Sequence, residues 1–201
     1  MIELAGWIEK QVAATRNRFV FGIAGAPGSG KSTIVERLAA ELDAVVVPMD
    51  GFHLPNDELD RRGLRSVKGA PETFDADGFV DAVRSIRNSD ADLSLPDFDR
   101  STDEPRPARI LVPASAPLVV VEGNYLLLES APWVELRDLF DAVAHLDLDP
   151  QVRVQRLIAR HVRFGKTPSE AEGFVRASDE PNAVRVDAAG HRAHLIVTVD
   201  S

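Results

Sequence analysis

An α/β fold, with a five-stranded, mostly parallel sheet covered by helices on both faces, is predicted by three observations. Five short apolar runs, 19–24, 44–49, 118–121, 143–148 and 195–199, are rich in Val, Ile, Leu and Phe and have the length of strands. Segments with apolar residues every three or four positions lie between them, as helices require. A glycine-rich stretch joins the first run to the first such helix. Strands alternating with helices form parallel sheets buried on both faces, which is why the runs are continuously apolar. A chain of 201 residues suffices for one core of this kind. The expectation is one domain, 1–201, a three-layer sandwich with a small flap and a helical lid.

The elements follow in order. Residues 2–17 carry Leu4, Ile8 and Val12 on one helical face. The run 19–24, Phe-Val-Phe-Gly-Ile-Ala, is a buried strand. Gly25-Ala26-Pro27-Gly28-Ser29-Gly30-Lys31-Ser32 follows and fits G-x-x-x-x-G-K-[ST]. Ile34, Leu38 and Leu42 then mark a helix, so the motif has the strand and helix that a P-loop requires. Glycines let the backbone curl so that its N–H groups form an anion nest. The helix adds its free N–H groups and positive dipole end. Lys31 supplies a charge for the β- and γ-phosphates, and the Ser32 hydroxyl suits a Mg²⁺ ligand. Gly25 to Thr33 are therefore the candidate nucleotide-binding residues, with ATP and Mg²⁺ as the expected cofactors and a P-loop NTPase fold as the frame.

The second strand, 44–49, ends at Asp50. The polar stretch 51–75, with Gly51, Pro55, Asn56, Gly63, Gly69 and Pro71, reads as a long loop, and such loops are usually functional. Asp75 caps a helix carrying Phe79, Val83 and Ile86. Residues 89–117 are rich in Asp, Pro and Ser, and their apolar pieces 93–95 and 110–112 are expected to pair as a small flap. A second functional loop is placed at about 92–113. The strand 118–121 ends at Glu122-Gly123, and Trp133, Leu136 and Phe140 mark a short helix. After strand 143–148, Asp149-Pro150 supplies an N-cap and a first-turn proline. That helix runs to about Phe164 and stops at Gly165. Thr167-Pro168-Ser169-Glu170 is a capping box, and 195–199 closes the sheet.

Ligands of parallel sheets sit at the carboxyl ends of the strands. The P-loop, Asp50 and Glu122 each directly follow a strand, so they are expected on one rim. A carboxylate near a γ-phosphate orients an attacking hydroxyl and accepts its proton, which suits Asp50; an acid that merely caps the loop Gly51-Phe52-His53 is the structural reading. Glu122 ends an apolar strand in the Walker-B manner, where an acid holds Mg²⁺ or positions substrate. Arg153, Arg156, Arg160 and Arg163 recur at three- and four-residue spacing, so several share one face of the lid helix, expected at 150–175. They suit charge on a transferred phosphoryl group, against a solvated surface as the alternative. His161 beside them reads as structural or solvated. His53, Arg65, Lys68, Asp99 and Arg100 are candidates for gripping a small phosphoryl acceptor. His191 and His194 have no metal-ligand spacing.

Several longer stretches resemble the phosphoribulokinase/uridine kinase family. These are Asp50-Gly51-Phe52-His53-Leu54-Pro55-Asn56, then Arg62-Gly63-Leu64, then Lys68-Gly69-Ala70-Pro71-Glu72-Thr73-Phe74-Asp75. Val121-Glu122-Gly123-Asn124-Tyr125-Leu126 is similar to the family's Glu-Gly segment, and Pro96-Asp97-Phe98-Asp99-Arg100 to its substrate-side segment. Arg156-Leu157-Ile158-Ala159-Arg160-His161 is similar to its lid helix, and Ser178-Asp179-Glu180-Pro181-Asn182-Ala183 to a segment near its C-terminus. The nearest flavour is the bacterial pantothenate kinase-like and nucleoside/nucleotide kinase branch. The resemblance spans about residues 20–199. It implies a P-loop kinase, with Asp50 as catalytic carboxylate and Lys31, Glu122, Arg156 and Arg160 as its partners in phosphoryl transfer from ATP to a small-molecule hydroxyl. The chain lacks the His-Pro pair of uridine kinases and shows no basic sugar-phosphate site, so fold and reaction class are implied and the acceptor is not.

Composition narrows the partners. A net charge of −9 disfavours nucleic acid. There are no cysteines, which removes disulfide, thiolate-metal and Cys-nucleophile chemistry. The first residues, Met-Ile-Glu-Leu-Ala-Gly-Trp, do not read as a signal peptide, and no run has membrane-spanning length. Cytoplasmic placement is the expectation, with no membrane partner and a homodimer left open. Two other function classes compete with a kinase. An NTPase switch would lack an acceptor, and the guanine-recognition motif of GTPases is missing. A nucleotide-binding adaptor without catalysis would fit better if Asp50 or Lys31 were missing, and both are present.

Overall fold

The computed structural model describes residues 2–199; Met1, Asp200 and Ser201, the ends of the expected 1–201 unit, lie outside the described residues. The first helix, α1 (Ile2–Ala14), ends earlier than its apolar spacing predicts. There the Thr15 hydroxyl donates to the Gln11 carbonyl at 2.8 Å, a local bond that competes with helix continuation. Strand β1 (Phe19–Gly25) is buried at every residue, and α2 (Lys31–Leu42) follows the glycine loop. Strand β2 (Val45–Pro48) is shorter than expected because Met49–Phe52 winds into a single 3₁₀ turn.

The stretch 51–75, read as a loop, is corrected by the structure. It contains a helix, α3 (Asn56–Arg62), and single turns at Arg65–Val67 and Pro71–Thr73. Helix α3 has acids Asp57 and Glu58 in its first turn, Arg61 and Arg62 in its last, and Gly63 beyond it at φ 68°. This complements the helix dipole and ends the helix in the left-handed conformation. Leu59 is its one buried residue, so no apolar period announced it.

Helix α4 (Ala76–Asn88) is capped by Asp75, which accepts from the Gly78 N–H at 3.0 Å. Strands β3 (Leu93–Asp99) and β4 (Glu104–Val112) form the expected flap. Leu93 faces Val112 and Leu95 faces Ile110, and the antiparallel ladder continues past a bulge to Asp99 and Glu104. The remaining elements are β5 (Leu118–Gly123), α5 (Leu136–Leu139), β6 (Ala142–Asp147), α6 (Pro150–Arg163), α7 (Pro168–Phe174), α8 (Glu180–Ala188) and β7 (Leu195–Thr198). The Asp149 cap of α6 and the Thr167–Glu170 capping box of α7 are both formed. A π-helical turn, Val175–Asp179, joins α7 to α8. It lies just before Pro181, which has no N–H to continue regular pairing.

The main sheet runs β2-β5-β1-β6-β7, parallel throughout. Alternate strand residues separate its two faces, as the period of two requires. Phe21, Ile23 and Val120 pack with Leu4, Ile8 and Leu38 of α1 and α2. Val20, Val119 and Val121 pack with Phe79, Val83 and Val186 of α4 and α8. Three layers result. The order β2-β5-β1 brings the ends of these three strands side by side.

Candidate active site

The glycine loop is shaped by backbone conformations that other residues rarely adopt. Gly28 has φ 81° and Gly30 φ 91°. A Cβ at Gly28 would lie 2.8 Å from Leu157 Cγ, so the loop packs directly on α6. Helix α2 begins with Gly30 as its N-cap and without a side-chain cap, which leaves first-turn N–H groups for an anion. Lys31 is buried, and its ammonium donates to Gly25 O at 2.8 Å, Ala26 O at 3.1 Å and Asn124 Oδ1 at 2.7 Å. Burial pulls its pKa down, while the charges of Glu122 and Asp50 push it back up.

The two acids end adjacent strands. Glu122 lies opposite both Ile23 of β1 and Pro48 of β2 in the sheet register. It is buried, and burial raises its carboxyl to about 7 against the pull of the Lys31 charge. Asp50 follows β2 within the 3₁₀ turn and is half-buried, its Oδ2 accepting from Arg100 Nη2 at 3.2 Å. Gly51 leaves no room for a Cβ against the Pro96 carbonyl. The flap is thereby seated on the turn that carries Asp50.

These groups share one cleft of about 580 Å³. Of the sequence candidates, Pro27, Gly28, Gly30, Lys31, Ser32, Thr33, Asp50, His53, Lys68, Arg100, Glu122, Arg156 and Arg160 line it. Gly25, Ala26 and Ser29 do not, although the carbonyls of Gly25 and Ala26 hold Lys31. Arg65 is exposed on a single turn away from the cleft wall. Asp99 also does not line the cleft, because it accepts from Arg106 and from the Ser101 hydroxyl and locks the flap tip. Lys68 reaches the cleft wall but is tied to Asn56 Oδ1 at 2.7 Å and Asp103 Oδ2 at 2.9 Å, bridging α3 to the flap. On α6, the helix expected to serve as a lid, Arg153 turns into the core and pairs with Glu180 at 2.7 Å. Arg156 lies against the glycine loop, with Nη1 3.7 Å from a Cβ built on Gly30.

Sequence reasoning passed over several cleft residues. Asn124 holds Lys31 from 93 positions away. Asn182 and Asp179 are buried at the cleft, and Asp179 Oδ2 lies 2.8 Å from His161 Nε2. All three stood inside the quoted motif stretches, which was the only available signal. The donor set also meets a simple test for Mg²⁺. Ser32 offers a hydroxyl, and Glu122 a buried carboxylate that a cation would restore to its charged form. Mg²⁺ takes one or two carboxylates and completes its shell with water and phosphate. Among the described residues, no cluster of three or more His, Cys, Asp or Glu side chains could hold a metal by itself.

No protein-family model matches the chain. An uncharacterised protein of Escherichia coli K12, YggC, is 39% identical over 194 residues, covering 93% of this chain and 80% of that protein. Schizosaccharomyces pombe C227.14, named as a candidate uridine kinase, is 37% identical over 174 residues, covering 80% and 74%. Among solved structures, a candidate fructose transport system kinase from Silicibacter sp. TM1040 superposes with a TM-score of 0.86 at 36% identity, covering 91% of each chain. Phosphoribulokinase from Rhodobacter sphaeroides shares the fold, with a TM-score of 0.70 at 14% identity, covering 92% of this chain and 73% of that one.

Proposed function

The chain belongs to the phosphoribulokinase/uridine kinase family of P-loop kinases, and from that premise we propose that it transfers the γ-phosphoryl group of Mg·ATP to a hydroxyl of a small polar metabolite. The observation that carries the reading is the placement of the glycine loop, Glu122 and Asp50 on three adjacent strand ends around one cleft. A switch or an adaptor has no need of a second carboxylate facing the phosphate nest beside a flap.

Bound Mg·ATP supplies the phosphoryl group and the metal's charge. The loop N–H groups and Lys31 hold the polyphosphate, and Ser32 and Glu122 hold the metal. A second cleft of about 480 Å³, lined by Ile34, Arg37, Val197 and Val199, shares Gly30, Thr33 and Arg156 with the first. It suits the nucleoside end of the donor. Asp50 orients the acceptor hydroxyl and takes its proton. Arg156 and Arg160 offset charge on the transferred group, and closure of the lid excludes water that would otherwise intercept it. His53, Lys68 and Arg100 wall the acceptor side. Nucleosides, sugars and pantothenate-like acids are the acceptor classes proposed, and all three occur in the names of similar proteins. Among the described residues no helix is long and apolar enough to cross a membrane, and we place the enzyme in the cytoplasm, where ATP is made available.

The experiment is a coupled ADP-release assay over nucleosides, hexoses, pentoses and pantothenate. Release that depends on one acceptor class is expected. Release at the full rate without any acceptor would overturn the kinase reading.

A further inference from the structure

Asn124 and Tyr125 follow Glu122-Gly123 directly at the end of β5, and their side chains reach two different walls of the cleft. An ammonium has three N–H groups. Asn124 Oδ1 takes one from Lys31, and the carbonyls of Gly25 and Ala26 take the others. The Tyr125 ring is fully buried and lies edge-on to Phe74 and Trp133, with centroids 5.7 Å from each. A buried phenol needs a partner for its hydroxyl. Tyr125 Oη donates to the carbonyl oxygen of Gly69, 56 positions earlier in the chain. Burial raises the pKa of the phenol, which keeps that hydrogen in place.

Gly69 is gripped a second time. Its N–H donates to the Thr73 hydroxyl at 3.0 Å, and this buried hydroxyl donates its own hydrogen to Ala70 O at 2.7 Å. Gly69 has φ 102°, which a residue without a side chain adopts easily. Of residues 68–70 only Ala70 is buried, so polar anchors rather than apolar packing hold this stretch. Lys68, Gly69 and Phe74 line the cleft, and Tyr125 does not. Phosphoryl transfer needs the reacting atoms about 3–3.5 Å apart, so the acceptor wall must keep a fixed distance from the phosphate end. Two consecutive residues anchor both.

Resting on the kinase reading, we propose that Tyr125 is a positioning residue for phosphoryl transfer: its hydroxyl holds the Gly69 carbonyl and so fixes 68–73 as a wall of the acceptor space, set against the Lys31 that its neighbour Asn124 holds. Tyr125 acts through Gly69 and touches neither the acceptor nor the phosphates.

The test measures ADP release with uridine, D-ribose, D-fructose and pantothenate as acceptor probes, for the full chain and for Tyr125→Phe, which keeps the ring and loses the hydroxyl. For the probe with the highest rate, Tyr125→Phe should raise KM about tenfold, the worth of one hydrogen bond to a carbonyl left without a partner. The kcat and the KM for ATP should stay as in wild type. Thr73→Val removes the hydroxyl on the other side of Gly69 and keeps the side-chain shape. It should shift the same KM in the same direction, and it serves if Tyr125→Phe does not fold. Amide hydrogen exchange should speed up across 68–73 in either variant and stay unchanged across the glycine loop, 25–33. Exchange needs no acceptor and decides the proposal if none of the four probes is turned over. An unchanged acceptor KM beside a lowered melting temperature would make Tyr125 a packing residue and overturn the proposal. So would a KM for ATP raised as much as that for the acceptor, or exchange across 68–73 that does not change. Each of these outcomes leaves the kinase reading standing. Full-rate release without an acceptor removes that reading and the proposal with it.

Discussion

Glu122 ends β5 at 8% exposure, and burial lifts its carboxyl from an ordinary 4.5 to about 7, even with Lys31 and Arg100 favouring the charged form. The folded, ligand-free protein therefore holds this proton more tightly than the unfolded chain does. Its stabilising contribution is complete below the unfolded value and is lost as pH rises through the folded one. At a pH well above 7 the loss is about 3 kcal/mol, at 1.36 kcal/mol for each pKa unit. Glu122→Gln keeps the shape of the protonated acid and has no charge to lose. Protonation and substitution deprive Lys31 of the same neighbouring charge, and Lys31 keeps its bonds to Gly25, Ala26 and Asn124 in either case. Urea unfolding in EDTA should therefore find Glu122→Gln more stable than wild type by about 3 kcal/mol near pH 8.5, and by about 1 kcal/mol near pH 5. Phosphoryl transfer should be largely abolished, a site acid being kept at the expense of stability. No gain at the higher pH, or a gain that does not change with pH, would refute the reasoning.

Asp50→Asn should lower turnover by roughly 10²-fold or more while leaving ATP affinity nearly intact by titration calorimetry, since general-base aid is worth about that much; equal turnover would remove Asp50 as the base. Gly28→Ala forces a side chain into a φ of 81° and against Leu157, so ATP affinity and the melting temperature should both fall; an unchanged Kd would show that the loop tolerates the strain. If the arginine helix closes over bound nucleotide as proposed, a nonhydrolysable ATP analogue should slow hydrogen exchange across 150–175, and exchange that does not respond would argue against closure. Arg100→Met should weaken acceptor binding more than ATP binding, because Arg100 meets Asp50 on the acceptor side; an equal loss for both ligands would place it elsewhere in the mechanism.

Much of the fold was legible because its signals act over a few residues. The strand, glycine loop and helix from Phe19 to Leu42 are adjacent in sequence. The Asp149 cap and the Thr167 capping box each close within three residues, so composition alone announced them. The flap was legible in its apolar ends, Leu93 with Val112 and Leu95 with Ile110, and hidden in its polar outer half. Helix α3 was missed because a helix that buries only Leu59 carries no apolar period. Its charge order and Gly63 were the readable signs.

The glycine loop, the acids at two strand ends and the arginines of α6 were set by sequence alone. Chain order and side-chain type decide them, and both are local. Which of these groups meet was decided by tertiary structure. Placing β5 between β1 and β2 makes Glu122 a neighbour of both the glycine loop and Asp50, and no local rule specifies that order. Arg65, Lys68, Asp99 and Arg100 looked equivalent as polar loop residues. Only the packed flap separates them, by giving Asp99 to Arg106, Lys68 to Asp103 and Arg100 to Asp50, and leaving Arg65 exposed. The physical reason is range: backbone preferences and caps act within a turn or two of chain, whereas the partner of a charged side chain is whatever the folded surfaces bring within about 3 Å of it.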